Sequence, residues 1–80
     1  MKHLPLTFPT KGRCVALACA NGLSLRYEVQ KIMTGEWQLV IDGDYGKWET
    51  LRALQFASER EAKTFARDDF RRRQLVRLAA

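Results

Sequence analysis

Histidine, serine and cysteine are scarce in this chain: His3, Ser24, Ser58, Cys14 and Cys19 account for all of them. A single histidine near an irregular terminus leaves no Cys/His set for a zinc site. No position pairs a serine or thiol with a general base. Phosphate-cradling glycine motifs are missing as well. Asp42 and Asp44 flank Gly43, but the stretch DGDYGKWE lacks the spacing and terminal glutamate of a calcium loop. These gaps predict a protein that is not an enzyme, holds no metal or cofactor and takes no small-molecule substrate.

The two cysteines are five residues apart. On one strand that is ~16 Å, too far for a disulfide, so both are expected as small core residues in a reducing compartment. Long hydrophobic runs are absent too. The longest uncharged stretch, Cys14 to Leu25, has 12 residues and contains Asn21-Gly22, against the ~18 that a membrane crossing needs. Pro5, Pro9, Lys11, Gly12 and Arg13 interrupt the place where a signal peptide would carry its apolar segment. A cytoplasmic protein that does not engage a membrane is expected.

Eighty residues, 46% hydrophobic and 29% charged, make one small domain. A chain of this size buries only ~60% of the surface it exposes when unfolded, which permits about two structural layers. The net charge is +5, and it is unevenly spread. Residues 1–35 and 58–80 are basic, while residues 36–57 are acidic. Such a balance favours an anionic partner, either nucleic acid or an acidic protein or nucleoprotein surface.

Residues 1–12, with two prolines and a Lys-Gly pair, read as an extended N-terminal arm from which Leu6 and Phe8 can reach the edge of the core. Residues 13–80 form the single α+β domain. Asn21-Gly22 suits a two-residue hairpin turn, since both positions need positive φ. Leu23, Leu25, Tyr27 and Val29 alternate with Ser24, Arg26, Glu28 and Gln30, the period of a half-buried strand. Arg13–Ala20 is its hairpin partner. Thr34-Gly35 turns the chain into a third strand, with Trp37, Leu39 and Ile41 on one face and Gln38 and Val40 on the other. Residues 42–50 read as a solvent-facing loop. The segment 51–56 is a fourth strand or the front of a longer helix, with the strand preferred. The predicted architecture is an antiparallel meander of three to four strands packed against one C-terminal helix.

That helix is predicted over about 58–77. Ser58 and Glu61 fit a capping box, with the serine accepting from the Glu61 amide and the glutamate answering back. At ~100° per residue, Ala62, Phe65, Ala66, Phe70 and Val76 share the core side. Arg60, Lys63, Arg67 and Arg71 follow one another along an adjoining flank, with no acid expected among them. Asp68 can reach Arg72 and Asp69 can reach Arg73, both at i+4. A solvated face accounts for the basic last turns, which complement the helix dipole. It does not account for Arg60 and Lys63 beside the positive N-terminus. On the outward sheet face Arg26, Gln30, Gln38 and Arg52 could meet phosphates or base edges. Lys47 and Trp48 sit together in the expected loop, where an aromatic beside a cation can stack on a base. The ordinary role for Trp48 is instead to fold back and cover the end of the core.

Gly35, Trp37, Phe56, Ala57, Ser58, Glu61 and Ala62 follow a pattern of a Gly-x-Trp strand, a returning strand and a Phe-Ala-Ser-x-x-Glu-Ala helix entry. In this the chain resembles small sheet-plus-helix DNA-binding modules, the AP2-like domains and the arm-binding domains of phage integrases. The likeness covers about half the chain, which adds a hairpin ahead of residue 23. It implies that the sheet enters a DNA groove, with contacts from Arg26, Gln30, Gln38 and Arg52. In general character the chain is also similar to small phage inhibitors of host defence, anti-CRISPR proteins among them. The expectation is a small basic binding domain that engages nucleic acid or a nucleoprotein complex through its cationic helix face. The alternative is a phage-encoded, protein-binding inhibitor.

Overall fold

The computed structural model describes residues 6–9, 11, 14–20, 22–44 and 48–79. Four strands, β1 (Cys14–Ala20), β2 (Leu23–Lys31), β3 (Trp37–Asp44) and β4 (Trp48–Phe56), precede one helix, α1 (Glu59–Ala79). The strands form a single antiparallel sheet in the order β1-β2-β3-β4. This is the predicted α+β meander with its C-terminal helix. The ambiguous segment 51–56 is strand.

The hairpin turns follow from local chemistry. Gly22 has φ 76° and Gly35 has φ 90°. A side chain at Gly35 would meet nothing within 4 Å, so it is the left-handed backbone that asks for glycine there. The Gly35 amide donates to the Ile32 carbonyl at 2.9 Å, and the Ile32 amide donates to the Glu36 carbonyl at 2.9 Å. These bonds close the β2–β3 connection and set its register, Lys31 opposite Trp37 through Ser24 opposite Asp44.

With side chains alternating across the strands, that register collects the apolar set on one face. Leu25, Tyr27, Val29, Leu39 and Ile41 are fully buried there, and Cys14 and Ala16 join them from β1. Burying each large side chain is worth ~1.5–3 kcal/mol before conformational entropy is set against it. Leu6 of the predicted arm is part of this core, and Phe8 packs against it. Cys14 is buried while Cys19, an odd number of residues further on, faces the other way and is exposed. The expectation that both cysteines are core residues therefore holds only for Cys14. Both are free thiols.

The expected loop over 42–50 is mostly strand. β3 runs on through Asp44 and β4 starts at Trp48, so only residues 45–47 lie between them. Two glycines and four charged residues give this stretch the local character of a loop, but cross-strand pairing overrides local propensity. The β3–β4 ladder also carries a bulge. Ile41 pairs with Arg52 and Asp42 with Thr50, leaving Leu51 as the extra residue. Leu51 packs against the core, and Arg52 lies opposite Ile41, on the helix side of the sheet.

Ser58 caps α1. Its Oγ accepts from the Glu61 amide at 3.2 Å, and its carbonyl accepts from the Ala62 amide at 3.2 Å. Among the described residues only the serine half of the capping box forms. Ala62 and Ala66 are fully buried against the sheet, and their small size lets the helix approach closely. Phe70 meets Tyr27 edge-on, with ring centroids 6.2 Å apart. Phe65 is only half-buried, beside Phe56 at 5.4 Å. The side chain of Val76 lies outside the described residues.

One polar network crosses this interface. The Tyr27 hydroxyl donates to Asp69 Oδ2 at 2.7 Å, and Arg73 Nε donates to the same oxygen at 2.7 Å. The Asp69–Arg73 pair is the one expected from i+4 spacing. Burial pushes the Tyr27 hydroxyl well above its ordinary pKa, and the bond to Asp69 adds to the shift. Burial opposes the charge on Arg73, but the Asp69 carboxylate outweighs it and raises the guanidinium. No buried side-chain nitrogen or oxygen among the described residues lacks a partner.

Candidate nucleic-acid interface

The outer surface of α1 takes its character from how its charges pair. Of its four acids, Glu59 binds Lys63, Asp68 lies 3.5 Å from Arg72, and Asp69 holds Arg73 at 2.7 Å. Glu61 has no ion-pair partner among the described residues. Arg60, Arg67 and Arg71 are exposed, and none of them forms an ion pair among the described residues. Helical geometry puts the three within about 40° of one another, along ~16 Å of the axis. Arg67 also lies over the Phe8 ring, 5.7 Å from its centroid, so the N-terminal segment helps to orient the row.

Lys63 departs from expectation. It is 7% exposed, bonded to Glu59, and 5.3 Å from the centroid of the Phe8 ring. The aliphatic stem of a lysine can lie along apolar surface in this way. The predicted flank without acids thus loses its second member, and three arginines remain. The signal was present in the sequence: glutamate four residues ahead of lysine is the favoured orientation for a helical pair.

The sheet residues lie elsewhere. Arg26, Gln30 and Gln38 alternate with the core residues of β2 and β3, so they occupy the open face, away from α1. Arg26 donates to Asp42 Oδ2 from Nε at 3.0 Å and from Nη2 at 2.7 Å. Thr50 Oγ1 donates to Asp42 Oδ1 at 2.9 Å. Asp42 is only 4% exposed, sealed by these neighbours rather than free in a loop. Gln30 Nε2 donates to Gln38 Oε1 at 3.1 Å. The polar groups expected to meet a nucleic acid are therefore bonded largely to one another. Arg52 is not among them, because the bulge places it on the helix side, with its guanidinium 5.3 Å from the centroid of Phe65. Lys47 lies outside the described residues. Trp48 opens β4 opposite Asp44, and its side chain is likewise outside the described set.

The ten candidate residues hence do not converge on one surface. Arg60, Arg67 and Arg71 form one group, while Arg26, Gln30 and Gln38 form another on the opposite side of the sheet. Beside the arginine row lies a shallow depression lined by Phe56, Arg60, Glu61, Thr64, Phe65 and Asp68.

Among the described residues no group of three or more His, Cys, Asp or Glu side chains is placed to hold a metal. No helix among them is long and apolar enough to cross a membrane. No family model matches the chain, and neither a curated protein nor a solved structure matches it.

Proposed function

We propose that this protein is a non-enzymatic binding domain that engages the phosphate backbone of nucleic acid through Arg60, Arg67 and Arg71. One observation carries the reading: three exposed guanidinium groups share a side of α1, and none of them forms an ion pair among the described residues. Guanidinium groups suit phosphate, because their planar fork donates two bonds to its oxygens. Contacts of this kind fix position and carry no sequence information. The sheet face favours this role less, because its polar side chains are already paired and Glu28 and Asp42 offset Arg26.

Three phosphate contacts give a slope of about −2.7 in log affinity against log salt for duplex DNA, or about −2.1 for a single strand. Affinity for duplex would fall ~40-fold between 50 and 200 mM salt. The double variant Arg67→Glu/Arg71→Glu is expected to lose binding and keep its unfolding midpoint, because neither side chain is buried. A wild type that binds neither duplex nor single strand at low salt would falsify the reading.

A second reading is favoured by the depression beside the row. Its apolar floor, Phe56 and Phe65, carries charges of both signs at its rim, as a protein partner would require. The domain would then act as a protein-binding inhibitor of a nucleoprotein complex, of the phage anti-CRISPR kind. Capture of a partner from lysate that survives nuclease treatment supports this reading over the first.

A further inference from the structure

We infer that β1 is the contact edge of a homodimer, pairing antiparallel with β1 of a second copy to join two sheets into one of eight strands. The sheet has two edges, and they are built differently. β4 carries Glu49, Arg52 and the bulge at Leu51. Charges and bulges are the devices that keep an edge from pairing with another chain. β1, CVALACA, has no charge, no proline and an unbroken register against β2 from Cys14 to Ala20. Among the described residues no backbone hydrogen bond reaches its far edge.

The side chains of β1 fit the same partner. On the open face Val15 is 39% exposed and Leu17 is 71% exposed, with Cys19 exposed next to them. An antiparallel pair centred on Leu17 uses all seven residues. It sets Leu17 against its own copy and Val15 against Cys19 of the partner, so three exposed positions become one apolar strip six residues long. An uncharged strand meets no like charge in its own copy, whereas two copies of β4 would bring Glu49 and Arg52 into the contact. A single pair of seven-residue edges is ~24 Å long, smaller than a standard interface. The dimer is therefore weak and reversible. A two-fold axis perpendicular to the sheet keeps both helices on one side, so the dimer would present six arginines together. That consequence rests on the proposed function, but the dimer does not.

Sedimentation velocity on the intact chain, reduced and without nucleic acid, tests the pairing from micromolar to several hundred micromolar. A concentration-dependent monomer–dimer equilibrium is expected. The variant Val15→Lys/Leu17→Lys should weaken it at least ~10-fold with an unchanged circular dichroism spectrum, since both side chains already face solvent in the monomer. Cross-linking fixes the register: Leu17→Cys with Cys19→Ser should form a covalent dimer on mild oxidation, because directly opposed Cβ atoms lie ~4.5–5.5 Å apart. A wild type that stays monomeric overturns the inference and leaves the edge to a strand from another protein. A lysine variant that still dimerises overturns it as well, by placing the contact elsewhere. Failure of the cross-link overturns the pairing centred on Leu17.

Discussion

On the helix side of the sheet, Leu25, Tyr27, Val29, Leu39 and Ile41 have no solvent exposure, whereas on the far side Arg26, Glu28, Gln30, Gln38 and Val40 keep part of theirs. The same two central strands supply both sets, one residue out of step. The covered face is held by packing and, among the described residues, crossed by the polar network Tyr27–Asp69–Arg73. The open face is held by polar pairs, Arg26–Asp42–Thr50 and Gln30–Gln38. Polar residues on an open face are thus no guarantee of a binding surface. Those of β2 and β3 stabilise the sheet, whereas Arg60, Arg67 and Arg71 on the helix are exposed and form no ion pair among the described residues.

Five substitutions separate the two faces by their effect on stability. Phe70→Ala should be the most damaging, at ~3–5 kcal/mol in urea unfolding, because the ring is 2% exposed and leaves a cavity over Tyr27. Phe65→Ala should cost about half as much, since Phe65 is only half-buried at the β4 side; an equal loss would mean that the helix leans on both rings alike. Asp42→Ala comes next, at ~1–3 kcal/mol, since it strips Arg26 and Thr50 of their shared acceptor. A cost below ~0.5 kcal/mol would mean that the open face contributes nothing to the fold.

Tyr27→Phe should cost ~1 kcal/mol near neutral pH, and it carries a pH signature. The hydroxyl is raised in the folded state, so the folded protein holds its proton to higher pH than the unfolded chain does. The associated stability is fully present below the unfolded value of ~10 and is lost as pH rises towards the folded value. Wild-type stability should decline above pH ~10, and the Phe variant should lose this component of the decline. Identical alkaline profiles would show that the hydroxyl is not sealed beneath Phe70. Gln30→Ala should have the smallest effect, within ~0.5 kcal/mol, because its bond to Gln38 is partly open to water.

Much of this arrangement was legible in the chain. Period-two alternation over residues 23–30 placed β2 correctly, Ser58 marked the helix start, and Asp69 with Arg73 followed from i+4 spacing. Three features were not read. Residues 42–50 look like a loop because glycine and aspartate disfavour strands locally, whereas the ladder to β4 is a long-range pairing that no local window contains. The burial of Lys63 is not legible in helix phase, because its core-edge position depends on Phe8, 55 residues earlier in the chain. The face of Arg52 is not legible either, because strict alternation from Leu51 fails at the bulge and Arg52 pairs with Ile41. The candidate site was legible at Arg60, Arg67 and Arg71, where helix phase alone decides exposure, and illegible wherever a distant partner intervenes.

The bulge at Leu51 has a genetic corollary. Loss of one residue from a strand ordinarily inverts every side chain beyond the gap, and such deletions are seldom tolerated. Here Thr50 and Arg52 already sit opposite consecutive residues of β3, so excising the single codon for Leu51 would leave both halves of the strand in frame with their neighbours. At this one position of β4, shortening the gene should do less harm than at the codons on either side.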